Sequence, residues 1–145
     1  MPQWVEQGWV EYSRRMPAHA PLTLSEIAPV PRGGSQSADS ARQEEGQRIL
    51  QRIDNRRHLI LLDEQGKDLA TTEWSQALDD MMQQSLQPVF VIGGADGVSG
   101  EVKQRADRTW RLSRLTFPHP LVRVILAEQL YRAFMLLQNH PYHRA

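Results

Sequence analysis

HLILLD, residues 58–63, is a short apolar run closed by an aspartate, and PVFVIGG, residues 88–94, is its counterpart further along the chain. Neither alternates between apolar and polar residues, so neither reads as a strand with one face in water. Each is too short for a buried helix, and each lies between segments of helical period. Both therefore read as buried strands of a parallel sheet. Between them, TTEWSQALDDMMQQSL (71–86) places Trp74, Leu78, Met81 and Met82 at helical spacing. A helix is expected there, with Thr72 as its cap and those four side chains turned inward. The methionine pair reads as core filler. Strand, helix, strand in that order predicts an α/β fold with a mostly parallel sheet.

Working outward, Pro2 to Arg15 carries Trp4, Val5, Trp9 and Tyr12 at helical spacing. PLTLSEIA (21–28) alternates like a short strand, and PVPRGGSQSADS (29–40) is a loop long enough to be functional. Ser40 to Ile53 reads as an amphipathic helix with Ile49, Leu50 and Ile53 on one side. On the other flank, a helix from Val98 to Arg108 leads into TWRLSRLTF (109–117), a fourth strand-like stretch. Pro118 and Pro120 open a last helix, Leu121 to Leu137, interrupted by polar side chains only at Arg123, Glu128, Gln129 and Arg132. A helix apolar on nearly every side must be covered on every side, and a second copy of the chain is the expected cover. No repeat and no second domain is visible, so residues 1–145 read as a single domain.

The chain has 145 residues and no cysteine, which excludes disulfides and thiolate metal sites. No apolar run approaches the roughly 20 residues that cross a bilayer. MPQWVEQGWVEY does not read as a signal peptide, so a cytoplasmic protein away from membranes is expected. The net charge of zero hides an asymmetry. Residues 1–100 carry 9 Lys and Arg against 14 Asp and Glu, while residues 101–145 carry 8 against 3. Seven of those eight cations are arginine, whose planar fork suits phosphate and stacks on bases. A solvated basic helix face explains this as well as an anionic partner does; the simplest such partner is RNA.

Ligands on parallel sheets bind outside the carboxyl ends of the strands, which singles out the loops after Leu62, after Ile92 and around Phe117. GGADG (93–97) lets a ligand approach the backbone closely, yet it matches neither the dinucleotide fingerprint nor a P-loop, and a tight strand–helix turn accounts for it equally. RLSRLTFPHP (111–120) could grip a purine edge between Leu115 and Phe117, or could simply be a rigid connector. His119 and His143 lack acidic or cysteine partners at ligand spacing, so no metal is expected. There is no Gly-x-Ser-x-Gly elbow to support acyl chemistry. The tail NHPYHRA (139–145) sets a stacking aromatic, a side chain titrating near neutrality and a permanent cation side by side, which a solvated terminus does not need.

EYSRRMP, EEGQRIL, LLDEQGK, VFVIGGADG, RLTFPHPLVRVILAEQLYRAF and NHPYHR, spread from Trp4 to Arg144, closely resemble the ribosomal large-subunit methyltransferase H family of the SPOUT class. The resemblance implies an S-adenosylmethionine-dependent enzyme that methylates N3 of a pseudouridine in 23S rRNA of the assembled ribosome. It implies a homodimer and a C-terminal trefoil knot, an exception to the rule against knots. Carried over by motif, cofactor contacts fall on Leu62, Gly93, Leu112, Ser113, Arg114, Leu115, Thr116 and Phe117. The tail reaches the pocket across the dimer interface in similar proteins. Tyr142, His143 and Arg144 are thus the expected catalytic group, with Tyr142 stacking on the base and His143 accepting the N3 proton. Arg123 and Arg144 are expected to hold phosphate or the imide anion. The family pattern begins earlier, with a hydrophobic strand that is missing here. That points to a start placed too late, and a form extended upstream is expected to melt higher. The rival readings are a non-catalytic ribosome-associated binding protein with a weakened cofactor pocket, and a methyltransferase of the same fold with another target base.

Overall fold

The computed structural model describes residues 1–34, 37–93 and 96–138. They form two compact units, each assembled from separate stretches of chain. One takes residues 1–24, 68–85 and those from 112 onward; the other takes 25–67 and 86–111.

The second unit holds a three-stranded sheet of β1 (His58–Asp68), β2 (Pro88–Ile92) and β3 (Arg108–Arg111), in the order β2-β1-β3. β1 and β2 run parallel, from His58 opposite Pro88 to Leu62 opposite Ile92. Leu59, Ile60 and Leu61 are all buried, so both faces of β1 are covered and the missing alternation is explained. On one face Leu59, Leu61 and Val91 pack with Val98 and Val102, flanked by Ile49, Leu50 and Ile53. Those flanking residues come mostly from α2 (Ala38–Gln51), and Val102 from α4 (Gly100–Arg105). The two helices approach closely at Gly46, where a Cβ would stand 2.2 Å from Ser99 Oγ. Ser99 in turn caps α4 by accepting from the Val102 N–H. In the sheet, the Phe90 and Trp110 rings lie 6.0 Å apart.

The other unit is helical: α1 (Gln3–Ser13), α3 (Thr71–Gln83) and α5 (His119–Leu137), with α5 packed against both of the others. Val5 is fully buried, Gly8 lies against Val124, and the rings of Tyr12 and Tyr131 are 6.2 Å apart. The Thr71 hydroxyl donates to Gln129 Oε1 at 2.8 Å, and one turn on the buried Ser75 hydroxyl donates to the Ala133 carbonyl. Glu128 and Arg132 pair across one turn of α5.

Several expectations are corrected. Residues 21–28 form no strand: the Ala28 and Glu26 carbonyls and the Ser25 hydroxyl accept from Arg48 and Arg52, so this segment is tied to α2 and its end. The cap of α3 is Ala70, whose N–H is taken by the Glu73 carboxylate at 2.9 Å, and Thr72 lies inside the helix. Met82 is exposed, and Ser75 takes an inward position instead. The helix expected from Val98 to Arg108 is only α4, because Ala106 turns extended and Asp107 N–H donates to the Leu59 carbonyl. The strand expected over 109–117 stops at Arg111, after which the chain is irregular. Of the helically spaced side chains of α1, Val5 is buried and Trp4 is 52% exposed. The last helix starts two residues earlier than expected, since a proline in the first turn loses no intrahelical bond.

Candidate functional site

At the carboxyl end of β2, Ile92 lies opposite Leu62 of β1, both half-buried, and Gly93 follows Ile92 directly, while β1 itself runs on to Asp68. A Cβ on Gly93 would stand 2.9 Å from Val98 Cγ1 and 3.2 Å from the Gly97 carbonyl carbon, so only glycine lets the turn fold back on itself. Gly97 has φ +79°, in the left-handed region that favours glycine, and nothing stands within 4 Å of where its Cβ would be. The turn is therefore tight within and open without, as close approach of a ligand to the backbone requires.

This turn is held from outside by a side chain that the sequence reading did not single out. Arg32 Nε donates to Asp96 Oδ2 at 2.9 Å, while Nη1 and Nη2 fork onto the two Glu45 oxygens at 2.6 and 3.0 Å. Glu45 Oε2 also accepts from the Val30 N–H at 2.8 Å, and Arg32 Nη1 reaches the Val30 carbonyl at 2.6 Å. The Arg32 guanidinium and the Val30 N–H hold Glu45 ionised, its pKa lowered against the opposing pull of burial. The long loop, α2 and the turn after β2 are joined by one bidentate pair and one further ion pair. The only sequence signal was an arginine set between Pro31 and two glycines in a long loop.

In the helical unit, residues 112–117 connect irregularly into α5. Leu115 N–H donates to Ser113 Oγ at 3.0 Å, which turns the chain and leaves the Leu115 side chain 71% exposed. Leu112, Ser113 and Phe117 are half-buried, and Arg114 and Thr116 exposed. Arg123 lies half-buried one turn after His119, on the same side of α5. The structure thus brings Leu62 and Gly93 together in one unit and keeps 112–117 and Arg123 near each other along the other. Tyr142, His143 and Arg144 lie outside the described residues. Among the described residues no group of three His, Asp or Glu side chains is placed to hold a metal, and no helix is long and apolar enough to cross a membrane.

Two histidines bind protons less readily than usual. Burial lowers the pKa of His58, with Asp107 opposing and Arg108 and Arg105 reinforcing the shift. Burial and then Arg123 lower that of His119. Both values fall below the ordinary 6.5, so the unfolded chain takes up protons first as pH drops. Stability is full above pH 6.5 and is lost as pH falls below it, by less than one proton's worth of slope per histidine. His58→Gln keeps an acceptor for Arg108, which now donates to His58 Nε2 at 3.1 Å. The variant should melt with a shallower pH dependence between pH 7 and 5; the same slope as the parent would count against His58 as a source.

A family description, "Predicted SPOUT methyltransferase", matches residues 1–143. Three curated relatives carry the name ribosomal RNA large subunit methyltransferase H. The protein of Methylococcus capsulatus is 47% identical over 99% of this chain and 93% of its own length. That of Hydrogenovibrio crunogenus is 46% identical over 99% and 92%, and that of Burkholderia ambifaria 48% over 100% and 93%. A likeness at this level, running through the sheet, the turn after β2 and α5 alike, settles kinship: the chain belongs to the SPOUT methyltransferase family.

Proposed function

We propose that this chain is a ribosomal RNA large-subunit methyltransferase that uses S-adenosylmethionine to methylate N3 of a pseudouridine in 23S rRNA of the assembled ribosome. The observation that carries the reading is the end-to-end likeness to relatives of that name, at 46–48% identity. The chain's own residues fit the cofactor: Leu62 and Ile92, paired at the carboxyl end of β2, offer half-buried apolar walls beside a turn open at Gly97. Leu62, Gly93 and residues 112–117 are its proposed contacts. The cofactor supplies an electrophilic methyl group on a sulfonium centre. For the chain, the task is then positioning: the attacking nitrogen must meet that carbon in line. Transfer of the methyl group from sulfur to N3 would release the demethylated cofactor and the N3 proton, and His143 would accept that proton. Tyr142 stacks on the base, which is turned out of its stack. Arg123 and Arg144 hold phosphate or the developing imide anion. The active form is a homodimer in a C-terminal trefoil knot fold, working in the cytoplasm. The exposed apolar side chains of Trp4 and Val10 on α1 support a second copy as cover.

Calorimetric titration of residues 1–145 with S-adenosylmethionine, followed by mass mapping of treated rRNA, tests this. Binding and a methyl group on the pseudouridine are expected. Binding with a methyl group elsewhere would move the target base. Binding to ribosomes without cofactor affinity would favour a non-catalytic binding protein.

Removing the outer support of the turn after β2 should also register. Arg32→Ala frees both Glu45 and Asp96, and the cofactor Kd should rise severalfold with the fold retained. Arg42→Ala, which breaks only a surface pair with Asp39, is the control and should leave Kd unchanged. Equal Kd values in all three proteins would show that the turn holds its shape unaided.

A further inference from the structure

The amino-terminal end of the sheet carries more cations than carboxylates. Residues 54–57 lead from α2 into β1 through a turn in which Arg57 N–H donates to the Asp54 carbonyl and Arg56 N–H to Asp54 Oδ1, both at 2.9 Å. From β3's side, Arg105 Nη2 donates to the Arg57 carbonyl at 2.8 Å and the Asn55 carbonyl at 3.5 Å, while Nη1 is held by Asp107 at 2.9 Å. The Asp54, Asn55 and Arg57 carbonyls are taken up inside the protein, and the turn presents Arg56 and Arg57 to solvent beside the half-exposed Asp54 carboxylate. Arg56 has a side chain 92% exposed, with Asp54 at 3.4 Å. Arg57 is exposed. Arg52 donates to the Ser25 hydroxyl and the Glu26 carbonyl, and Arg108 to the His58 ring, so both meet neutral acceptors. Among the described residues no carboxylate lies within ion-pair reach of Arg52, Arg57 or Arg108; Asp54, which also feels the charge of Arg57, and Asp107 are already bonded to Arg56 and Arg105.

This end is remote from the cofactor edge. In the register of β1, His58 opens the strand and Leu62 stands four residues on, about 13 Å at strand rise. None of the large exposed apolar side chains, at Met1, Trp4, Val10, Met82 and Leu115, belongs to the patch. A protein partner would need such anchors, whereas phosphates need forked cations held in place. The firmly bonded turn supplies that preorganisation; a merely solvated loop would have no use for it. A chain with zero net charge cannot rely on overall attraction to a polyanion, so its hold on RNA must be local.

We propose that Arg52, Arg56, Arg57 and Arg108 form a second RNA contact, which grips phosphates of the substrate rRNA away from the methylated base. The proposal rests on the rRNA reading above and extends it to a surface. Its test is sedimentation of the protein with purified ribosomal particles at several salt concentrations, with S-adenosylmethionine titration of the same samples. Arg56→Glu with Arg57→Glu, both exposed, should lower particle affinity about tenfold and make the salt dependence shallower by about two phosphate contacts. Cofactor affinity and melting temperature should hold, and the double lysine variant should recover most of the binding. Unchanged particle affinity in the glutamate variant would overturn the proposal, as would a parent protein that binds no particles. Loss of binding that an rRNA fragment cannot compete for would reassign the surface to a ribosomal protein. A parent protein that binds particles but no cofactor would sink the enzyme reading alone.

Discussion

The Gly66→Ala chain should be recovered largely unfolded, or folded with a much lower melting temperature. A Cβ at this position of β1 would stand 2.5 Å from the Trp110 carbonyl carbon and 2.8 Å from its nitrogen and oxygen. These are backbone atoms of β3, so no rotamer change relieves the clash; the strand itself must move. Moving β3 shifts Trp110, which is buried and packed on Phe90. Overpacking against flexible side chains costs about 1–3 kcal/mol, and a rigid neighbour should push the cost to the top of that range or beyond. Against a total of roughly 5–15 kcal/mol, one methyl group would remove a large share of the stability. Gly100→Ala is the comparison: nothing lies within 4 Å of its would-be Cβ, it opens α4, and it should melt no lower than the parent. Equal melting of Gly66→Ala and the parent in urea would show that β3 can yield without loss.

His143→Ala should cut methyl transfer by about 10²–10⁴-fold, the usual worth of a positioned general base. An imide nitrogen is mostly protonated, and so poorly nucleophilic, at neutral pH, and a base placed to take its proton supplies the reactive form. The wild-type rate should rise with pH as the imidazole loses its proton, and that limb should vanish in the variant. Cofactor affinity, measured by calorimetry, separates the two roles the tail could have. A slow variant that still binds S-adenosylmethionine has lost a base, and one that binds none has lost part of the pocket. Full turnover in His143→Ala would dismiss the base assignment, with Arg144 and bound water left to order the reaction.

What could be read from the sequence followed the physics of burial. The run at 58–63 lacks alternation because β1 is covered on both faces at Leu59, Ile60 and Leu61, whereas in β2 Val91 is buried and its neighbours are half-buried. Residues 21–28 misled because two or three alternating leucines and isoleucines mimic a strand. Their true partners, Arg48 and Arg52, lie 20 and 27 residues downstream of Ala28 and Ser25, on α2 and at its end. Arg32 escaped notice for the same reason. Its partners stand 13 and 64 positions away, and no local pattern marks an ion cluster assembled by the fold. The basic turn at 52–57 was hidden by averaging, since it sits in the acidic two-thirds of the chain. The motif-borne candidates, by contrast, came from whole-chain likeness, which periodicity and composition do not supply.

The paired hydroxyls on α3 bear on how α5 finds its place. A helix with hardly any polar side has no built-in preference for which flank to hide, and its neighbours could slide along it at little loss. Thr71 meeting Gln129 and Ser75 meeting the Ala133 carbonyl advance together by four residues on each helix. Rotating α5 by one residue, about 100°, would cost the half-buried Thr71 its partner and leave the buried Ser75 hydroxyl without one. The instruction for seating the most uniform helix of the protein is therefore written on another helix altogether, in two small polar atoms. A Thr71→Val, Ser75→Ala chain would keep its core and lose its bearings.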